Sequence, residues 1–188
     1  MQHTSDTYKL MGIDPGTNVL GYAIIEVRKT KLYLVTHGVL SLSHLTNHQH
    51  KLKRIFERIQ QLIEQYQPKE MAIEAPFYGK NIQSMLKLGR AQGVAIAAAI
   101  TKGVEMTEYA PKKIKQSVTG NGNASKEQVA AMLETILNQK LDQISLDATD
   151  ALAAAVCHYY QSTSILGKKG NYSGWKGFIS NNPDRVKK

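Results

Sequence analysis

The order of the hydrophobic patterns along the chain constrains its fold more than any other feature. Three β-rich apolar runs follow one another near the start, over Tyr8–Ile13, Val19–Val27 and Lys31–Leu40. From Leu52 to Tyr66 the apolar residues instead recur every three or four positions, which predicts an amphipathic helix that ends before Pro68. The chain therefore begins with three consecutive strands and then changes to helical spacing.

The remainder of the sequence alternates short strands with helices. Two further strands are predicted, over Glu70–Ala75 and Val104–Tyr109. Four helices are predicted as well, over 81–101, 111–118, 125–137 and 147–160. Ser125 and Gln128 have the spacing of a capping box, which marks a helix start. Five strands in this order predict an α/β fold, with one five-stranded mixed β-sheet flanked by α-helices.

Length and charge indicate one domain with an anionic partner. A chain of 188 residues has the usual size of a single domain, and we assign residues 1–161 to it. The formal net charge of +9 favours a polyanion such as nucleic acid. Residues 162–188 contain glycines and six Lys or Arg against one Asp, so we predict a flexible basic tail.

Other classes of protein are excluded by composition. The single cysteine, Cys157, rules out a disulfide scaffold and a cysteine-based zinc site. No run approaches the ~20 apolar residues that cross a bilayer, and the first residues lack a signal-peptide core. We therefore expect a soluble, cytoplasmic protein without membrane contact.

Four acidic residues share a distinctive setting among apolar neighbours. Asp14 and Glu74 each close a predicted strand, and Asp147 and Asp150 lie three positions apart on one flank of the last helix. Each has an ordinary interpretation: a turn residue, a partner for lysine, or a favourable charge at a helix N-terminus. A cluster of all four is costly unless cations offset it, and oxygen ligands suit Mg²⁺ or Mn²⁺. Two such ions can activate water for phosphodiester hydrolysis, and the pattern alone leaves both interpretations open.

At these residues the sequence is similar to a known family. Six blocks occur in the family's order, and they are Met11–Ala23, Ala72–Asn81, Leu86–Ala95, Tyr109–Val118, Gly120–Val129 and Asp147–Ala153. Through them the chain resembles the RuvC-type Holliday-junction resolvases (crossover junction endodeoxyribonucleases) of the RNase H-like superfamily. The resemblance covers roughly Lys9 to Gln161 and implies an RNase H-like fold.

The resemblance also implies a reaction, its cofactors and its partners. The family resolves Holliday junctions in homologous recombination and DNA repair, nicking two opposing strands of four-way DNA symmetrically. Asp14, Glu74, Asp147 and Asp150 would be the catalytic and metal-binding residues, holding two Mg²⁺ ions for which Mn²⁺ can substitute. The partners implied are a four-way DNA junction, a second copy of the chain, and a branch-migration helicase complex.

Five residues are expected to bind DNA on the same basis. Phe77 would stack on bases near the crossover, Lys80 and Arg90 would line the DNA groove, and Lys115 and Lys126 would lie beside the active site. The small residues of the helix over 81–101 would form the dimer interface. The ordinary alternatives are a core phenylalanine, solvated lysines and a helix packed on its own sheet.

Three other functions are weighed against the resolvase. A sugar-kinase or actin-like ATPase also has Asp-x-Gly-Thr after a strand, as at Asp14–Thr17, but it needs two lobes. An RNase H acting on RNA–DNA hybrids would use similar acids. A non-enzymatic junction-binding module would gain nothing from four clustered carboxylates.

Overall fold

The structure is a computed structural model that describes residues 7–76, 81–141 and 144–163. It contains five strands and five helices in these segments. The strands are β1 (Thr7–Asp14), β2 (Val19–Arg28), β3 (Lys31–Ser41), β4 (Glu70–Glu74) and β5 (Glu105–Tyr109). The helices are α1 (His48–Tyr66), α2 (Ile82–Ile100), α3 (Pro111–Thr119), α4 (Lys126–Leu137) and α5 (Leu146–Thr163). The predicted order of elements is confirmed.

The strands form one mixed sheet in the order β3-β2-β1-β4-β5. The first three strands pair antiparallel as hairpins, whereas β1, β4 and β5 run parallel. The parallel register pairs Ile13 with Ile73, so Asp14 and Glu74 come next to each other at the same end of the sheet. We call this the carboxylate end of the sheet.

Helices cover both faces of the sheet, and each face has its own hydrophobic core. Alternate strand residues point to opposite faces: Leu10 packs in the core under α3, α4 and α5, while Met11 and Ile13 pack against α1 and α2. Such a three-layer sandwich is the predicted α/β architecture.

Helix α5 is the most enclosed helix of the described residues. Its residues from Ala151 to Tyr159 are all buried, although the sequence predicted only one apolar stripe. The helix lies on β1 and β2, and α3 and α4 pack beside it, so its flanks are covered as well. No helix within the described ranges is long and apolar enough to cross a membrane.

Helix boundaries differ from the predicted ones at two places. Helix α1 begins at His48 rather than Leu52, because the side chain of Asn47 caps it by accepting from the N–H of Gln49 at 2.8 Å. Helix α5 continues to Thr163, past the predicted domain boundary at Gln161. The remaining part of the predicted tail, 164–188, lies outside the described residues.

A hydrogen-bond chain through the buried side chain of His158 joins α5 to β4 and β5. His158 accepts or donates through Nδ1 to Tyr109 Oη at 2.8 Å and through Nε2 to Glu70 Oε2 at 2.7 Å. Partial burial raises the pKa of Glu70, but the hydrogen bonds from His158 and Lys69 outweigh it and keep this pKa below its ordinary value. The bonds of His158 fix the C-terminal half of α5 over β4 and β5.

Candidate active site

The carboxylate end of the sheet brings two of the predicted acids together. Asp14 ends β1 and Glu74 ends the neighbouring parallel strand β4. Both occupy strand positions in phase with Gly12 and Ala72, which face α5. Their side chains therefore project towards the helix that carries the other two acids.

Two glycines allow α5 to approach the sheet at backbone distance. A Cβ atom on Gly12 would lie 1.9 Å from the carbonyl oxygen of Ala151, and one on Gly21 would lie 2.0 Å from that of Asp147. Real side chains cannot occupy such positions, so only glycine permits this contact. The close approach places the first turns of α5, with Asp147 and Asp150, above the ends of β1 and β2.

A cavity of about 390 Å³ lies where these elements meet. Three of the four acids and two lysines line it: Asp14, Glu74, Asp150, Lys115 and Lys126. Apolar side chains complete its wall, and they are Pro111, Ile114, Val129 and Ala153. Asp147 does not line the cavity, but its charge acts on Asp14.

Burial and mutual repulsion disfavour the charged forms of the inner acids. Burial, together with the charges of Glu74, Asp150 and Asp147, raises the pKa of Asp14 to about 8. Burial and the charge of Asp150 raise the pKa of Glu74 to about 7. The cavity therefore attracts a proton or another cation at neutral pH.

Two lysines supply the positive charge that the cavity already holds. Lys126, the first residue of α4, donates from Nζ to Asp150 Oδ2 at 2.6 Å, and this bond raises the pKa of Lys126. Lys115 on α3 donates from Nζ to the carbonyl oxygen of Ala124 at 2.8 Å. The capping box of Ser125 fixes the start of α4 and hence the position of Lys126.

The donor set suits a hard divalent cation. The acidic side chains offer carboxylate oxygens alone, which Mg²⁺ and Mn²⁺ prefer, and the raised pKa values reflect burial together with the mutual repulsion of these acids. Within the described ranges, no group of three or more Asp, Glu, His or Cys side chains is already arranged to hold a metal. The site thus has side chains of the type that bind such a cation. In this structure Lys126 forms an ion pair with one of them, Asp150.

These electrostatics predict a pH-dependent instability of the metal-free protein. Because the pKa of Asp14 is raised, the folded protein keeps a proton that the unfolded chain loses above about pH 4. The free energy of unfolding therefore falls as the pH rises from about 4 to about 8. In EDTA at pH 8, Asp14→Asn should raise the Tm, and the gain should shrink towards pH 5. Differential scanning fluorimetry measures both, with Glu105→Gln at the far end of the sheet as control.

Comparison with known proteins identifies the family. The family model described as "Crossover junction endodeoxyribonuclease RuvC" matches residues 10–158. The RuvC protein of Cytophaga hutchinsonii is 63% identical over 179 residues, covering 95% of this chain and 88% of that protein. The RuvC protein of Porphyromonas gingivalis is 53% identical over 182 residues, covering 95% and 96%.

This chain belongs to the RuvC family.

Solved structures agree with that assignment. A structure of Thermus thermophilus RuvC has a TM-score of 0.75 and 30% identity, covering 82% of this chain and 95% of that one. T. thermophilus RuvC in complex with Holliday junction substrate has a TM-score of 0.77 and 31% identity, covering 82% and 94%. The predicted fold is confirmed, and the kinase-like alternative is wrong because the chain is a RuvC-type nuclease.

Of the three other predicted DNA-binding residues of this RuvC-family chain, the structure describes only Arg90, which lies away from the cavity. Phe77 and Lys80 fall outside the described residues. Arg90 is exposed on α2, which covers the face of the sheet opposite α5. Its predicted role therefore involves a different part of the surface from that of Lys115 and Lys126.

Sequence reasoning about this RuvC-family chain missed Gly12 and Gly21. Both lie in predicted strands, where an interior glycine often marks a close backbone approach, and this was the available signal. The loop at residues 120–122 is held by local bonds, since the N–H of Asn121 donates to Thr119 Oγ1 at 3.1 Å.

Proposed function

We propose that this chain resolves Holliday junctions, hydrolysing one phosphodiester bond in each of two opposing strands of four-way DNA. The observation that carries the proposal is the cavity in which Asp14, Glu74 and Asp150 meet Lys115 and Lys126. Its chemistry fits phosphodiester hydrolysis, and a RuvC relative with 31% identity was solved with a Holliday junction substrate. The process served is homologous recombination and DNA repair, in the cytoplasm.

The cofactor of the proposal is Mg²⁺, with two ions per site and Mn²⁺ as a substitute. Asp14, Glu74, Asp147 and Asp150 would hold them through carboxylate oxygens. When bound, the ions supply a water of lowered pKa and neutralise charge on the leaving oxygen. The raised pKa values of Asp14 and Glu74 support this, because they arise from burial together with mutual repulsion, and a divalent cation would relieve the repulsion.

The chain's own residues position and neutralise the scissile phosphate. Hydrolysis joins a water oxygen to phosphorus and breaks one phosphorus–oxygen ester bond; the water loses a proton and the departing oxygen gains one. Lys115 and Lys126 bring two ammonium groups into the cavity, one on each of α3 and α4. There they offset the charge of the phosphate and the additional charge of the transition state. The apolar wall limits the water that could screen them.

Two opposing nicks need two active sites, and α2 supplies a surface for a homodimer. Its outer face is apolar or small over five turns, and its residues are Ile82, Leu86, Gly89, Gly93, Ala97 and Ile100. Ile82, Leu86 and Ile100 are 71%, 58% and 62% exposed, which is unusual for such side chains. Nothing lies within 4 Å of a Cβ built on Gly89 or Gly93, so a second helix can approach closely there.

Leu86→Asp is expected to convert the dimer to a monomer. A carboxylate at this position would lie within the apolar face and would be buried without a partner in the dimer. Sedimentation velocity at about 10 µM measures the change. Met132→Asp, on the exposed side of α4, is the control and should remain dimeric. A wild-type chain that is monomeric with and without junction DNA would contradict the interface.

Further contacts of the proposal are made by residues predicted from the resemblance. Phe77 stacks on bases at the crossover, and Lys80 and Arg90 follow the DNA backbone. A branch-migration helicase complex is the expected protein partner. These assignments rest on family motifs at those positions.

The decisive experiment is cleavage of a labelled, branch-migratable four-way junction in Mg²⁺ and in EDTA. A linear duplex and an RNA–DNA hybrid of the same sequence are assayed in parallel. Paired symmetric nicks in the junction alone, in Mg²⁺ alone, are the expected result. Cleavage of the hybrid in preference to the junction would overturn the proposal, as would tight junction binding without cleavage in Mg²⁺ or Mn²⁺.

A further inference from the structure

Three positive side chains and a histidine lie at the carboxylate end of the sheet, on the face opposite the cavity. His48 and Lys51 belong to the first turn of α1, and Lys87 and Arg90 belong to α2. We call these four residues the α1–α2 basic patch. Lys51 donates from Nζ to Asn18 Oδ1 at 2.8 Å, in the turn that follows Asp14. This bond ties the patch to the loop between β1 and β2, next to the active site.

The positive charge of the patch is not balanced by ion pairs among the described residues. Lys51, Lys87 and Arg90 have no ion pair with a carboxylate within the described ranges, whereas Lys53, Lys69 and Lys102 each have one. The first turn of α1 also contains no acidic residue, although acids are favoured there by the helix dipole. Positive charge is thus concentrated at this place, and no carboxylate of the described residues pairs with it.

The environment of His48 reflects this concentration of positive charge. The Nε2 atom of His48 is buried and has no hydrogen-bond partner among the residues that the structure describes. Burial and the charges of Arg90, Lys87 and Lys51 all lower the pKa of His48, and every one of these charges is positive. Clustered like charges beside an unpaired buried nitrogen are costly, and a bound anion would remove that cost.

The geometry of α2 places the patch beside the apolar face already described. With about 100° per residue, Lys87 and Arg90 project between the buried side of α2 and its outer side. Both are exposed. The patch can therefore be reached by a large ligand even when the outer face is covered by a second copy.

We propose that His48, Lys51, Lys87 and Arg90 bind the phosphate backbone of a DNA arm that passes over the carboxylate end of the sheet to its opposite face. The inference rests on the proposed function, since it adds a second contact region for the same four-way DNA. An extended polyanion fits these cations better than a small anion does, because the cations are spread over two helices. DNA bound to the patch would be held in a fixed position relative to the cavity on the other face of the sheet.

The test uses matched double variants of the full chain. Lys51→Ala/Lys87→Ala removes two patch charges, and Lys53→Ala/Lys102→Ala removes two paired surface charges, so the net charge changes equally. Fluorescence anisotropy gives the junction Kd in Ca²⁺ across a salt series. We expect the patch variant to bind about tenfold or more weakly, with a log Kd against log salt slope smaller by about two. The control should stay within about twofold of wild type.

A second measurement identifies the ligand directly. The ¹H–¹⁵N resonances of the His48 ring should shift on adding junction DNA but not on adding the same concentration of inorganic phosphate. Equal shifts from both would indicate a small-anion site and overturn the proposal, as would equal Kd values for the two double variants. If wild type neither binds nor cuts junctions, the proposed function itself fails; if it does both while the variants match, only the patch fails.

Discussion

Replacing Asp14 with Asn is expected to reduce the rate of junction cleavage by at least about 10³-fold and to leave the junction Kd within about threefold of wild type. The amide keeps the size of the side chain but removes the charge at the centre of the cavity, where Glu74, Asp150 and Asp147 all act on it. The lysines proposed to meet the phosphate, Lys115 and Lys126, are unchanged in this variant. Single-turnover cleavage at saturating enzyme separates the chemical step from binding.

Glu105→Gln provides the matched control for this prediction. It is also a carboxylate-to-amide change, but it lies at the start of β5, at the end of the sheet away from the cavity. It should cleave at the wild-type rate. Undiminished turnover by Asp14→Asn would remove the basis for a carboxylate-held metal centre, and a parallel loss of binding would point instead to misfolding.

The second large effect is expected from Gly21→Ala. The added methyl group would lie 2.0 Å from the carbonyl oxygen of Asp147, which is backbone and cannot swing aside. Helix α5 must then move away from β2, carrying Asp147 and Asp150 with it. Overpacking of this kind costs about 1–3 kcal/mol of stability, and an ångström-scale displacement of reacting groups can cost about 10² in rate. We expect both losses in the same variant.

The control for Gly21→Ala separates positioning from general destabilisation. Gly38→Ala would crowd Tyr22 Oη at 2.5 Å on the other face of the sheet, remote from α5. It should lower the free energy of unfolding in urea but preserve the cleavage rate at temperatures where the protein is fully folded. If Gly21→Ala behaves in the same way, the close approach of α5 has no role in placing the acids.

The elements of the fold could be predicted because their signals are local. Alternating apolar residues in β1 to β3 and the capping box at Ser125 each indicate a structure within a few residues. The start of α1 was missed because its first turn, from His48, is polar, and the apolar period begins only at Leu52. The side chain of Asn47 carried the missing signal, as an N-cap.

The site was predictable in its residues but not in its geometry. That Asp14 and Glu74 are neighbours depends on β1 pairing with β4, a strand order that no local pattern specifies. The bond between Lys126 and Asp150 joins residues from two helices whose packing is set by the whole core. Gly12 and Gly21 matter only because α5 crosses them, so their role could be found only once the helix was placed.

The position of α5 in the chain also has a consequence during protein synthesis. Asp14 and Asp150 are 136 residues apart, and ribosomes add roughly 5–20 residues per second. For many seconds the nascent polypeptide therefore carries the first carboxylates without the last two. Because α5 also supplies much of the core on its face of the sheet, the domain cannot close before that helix emerges. A nascent chain from which α5 has not yet emerged thus has no assembled candidate site.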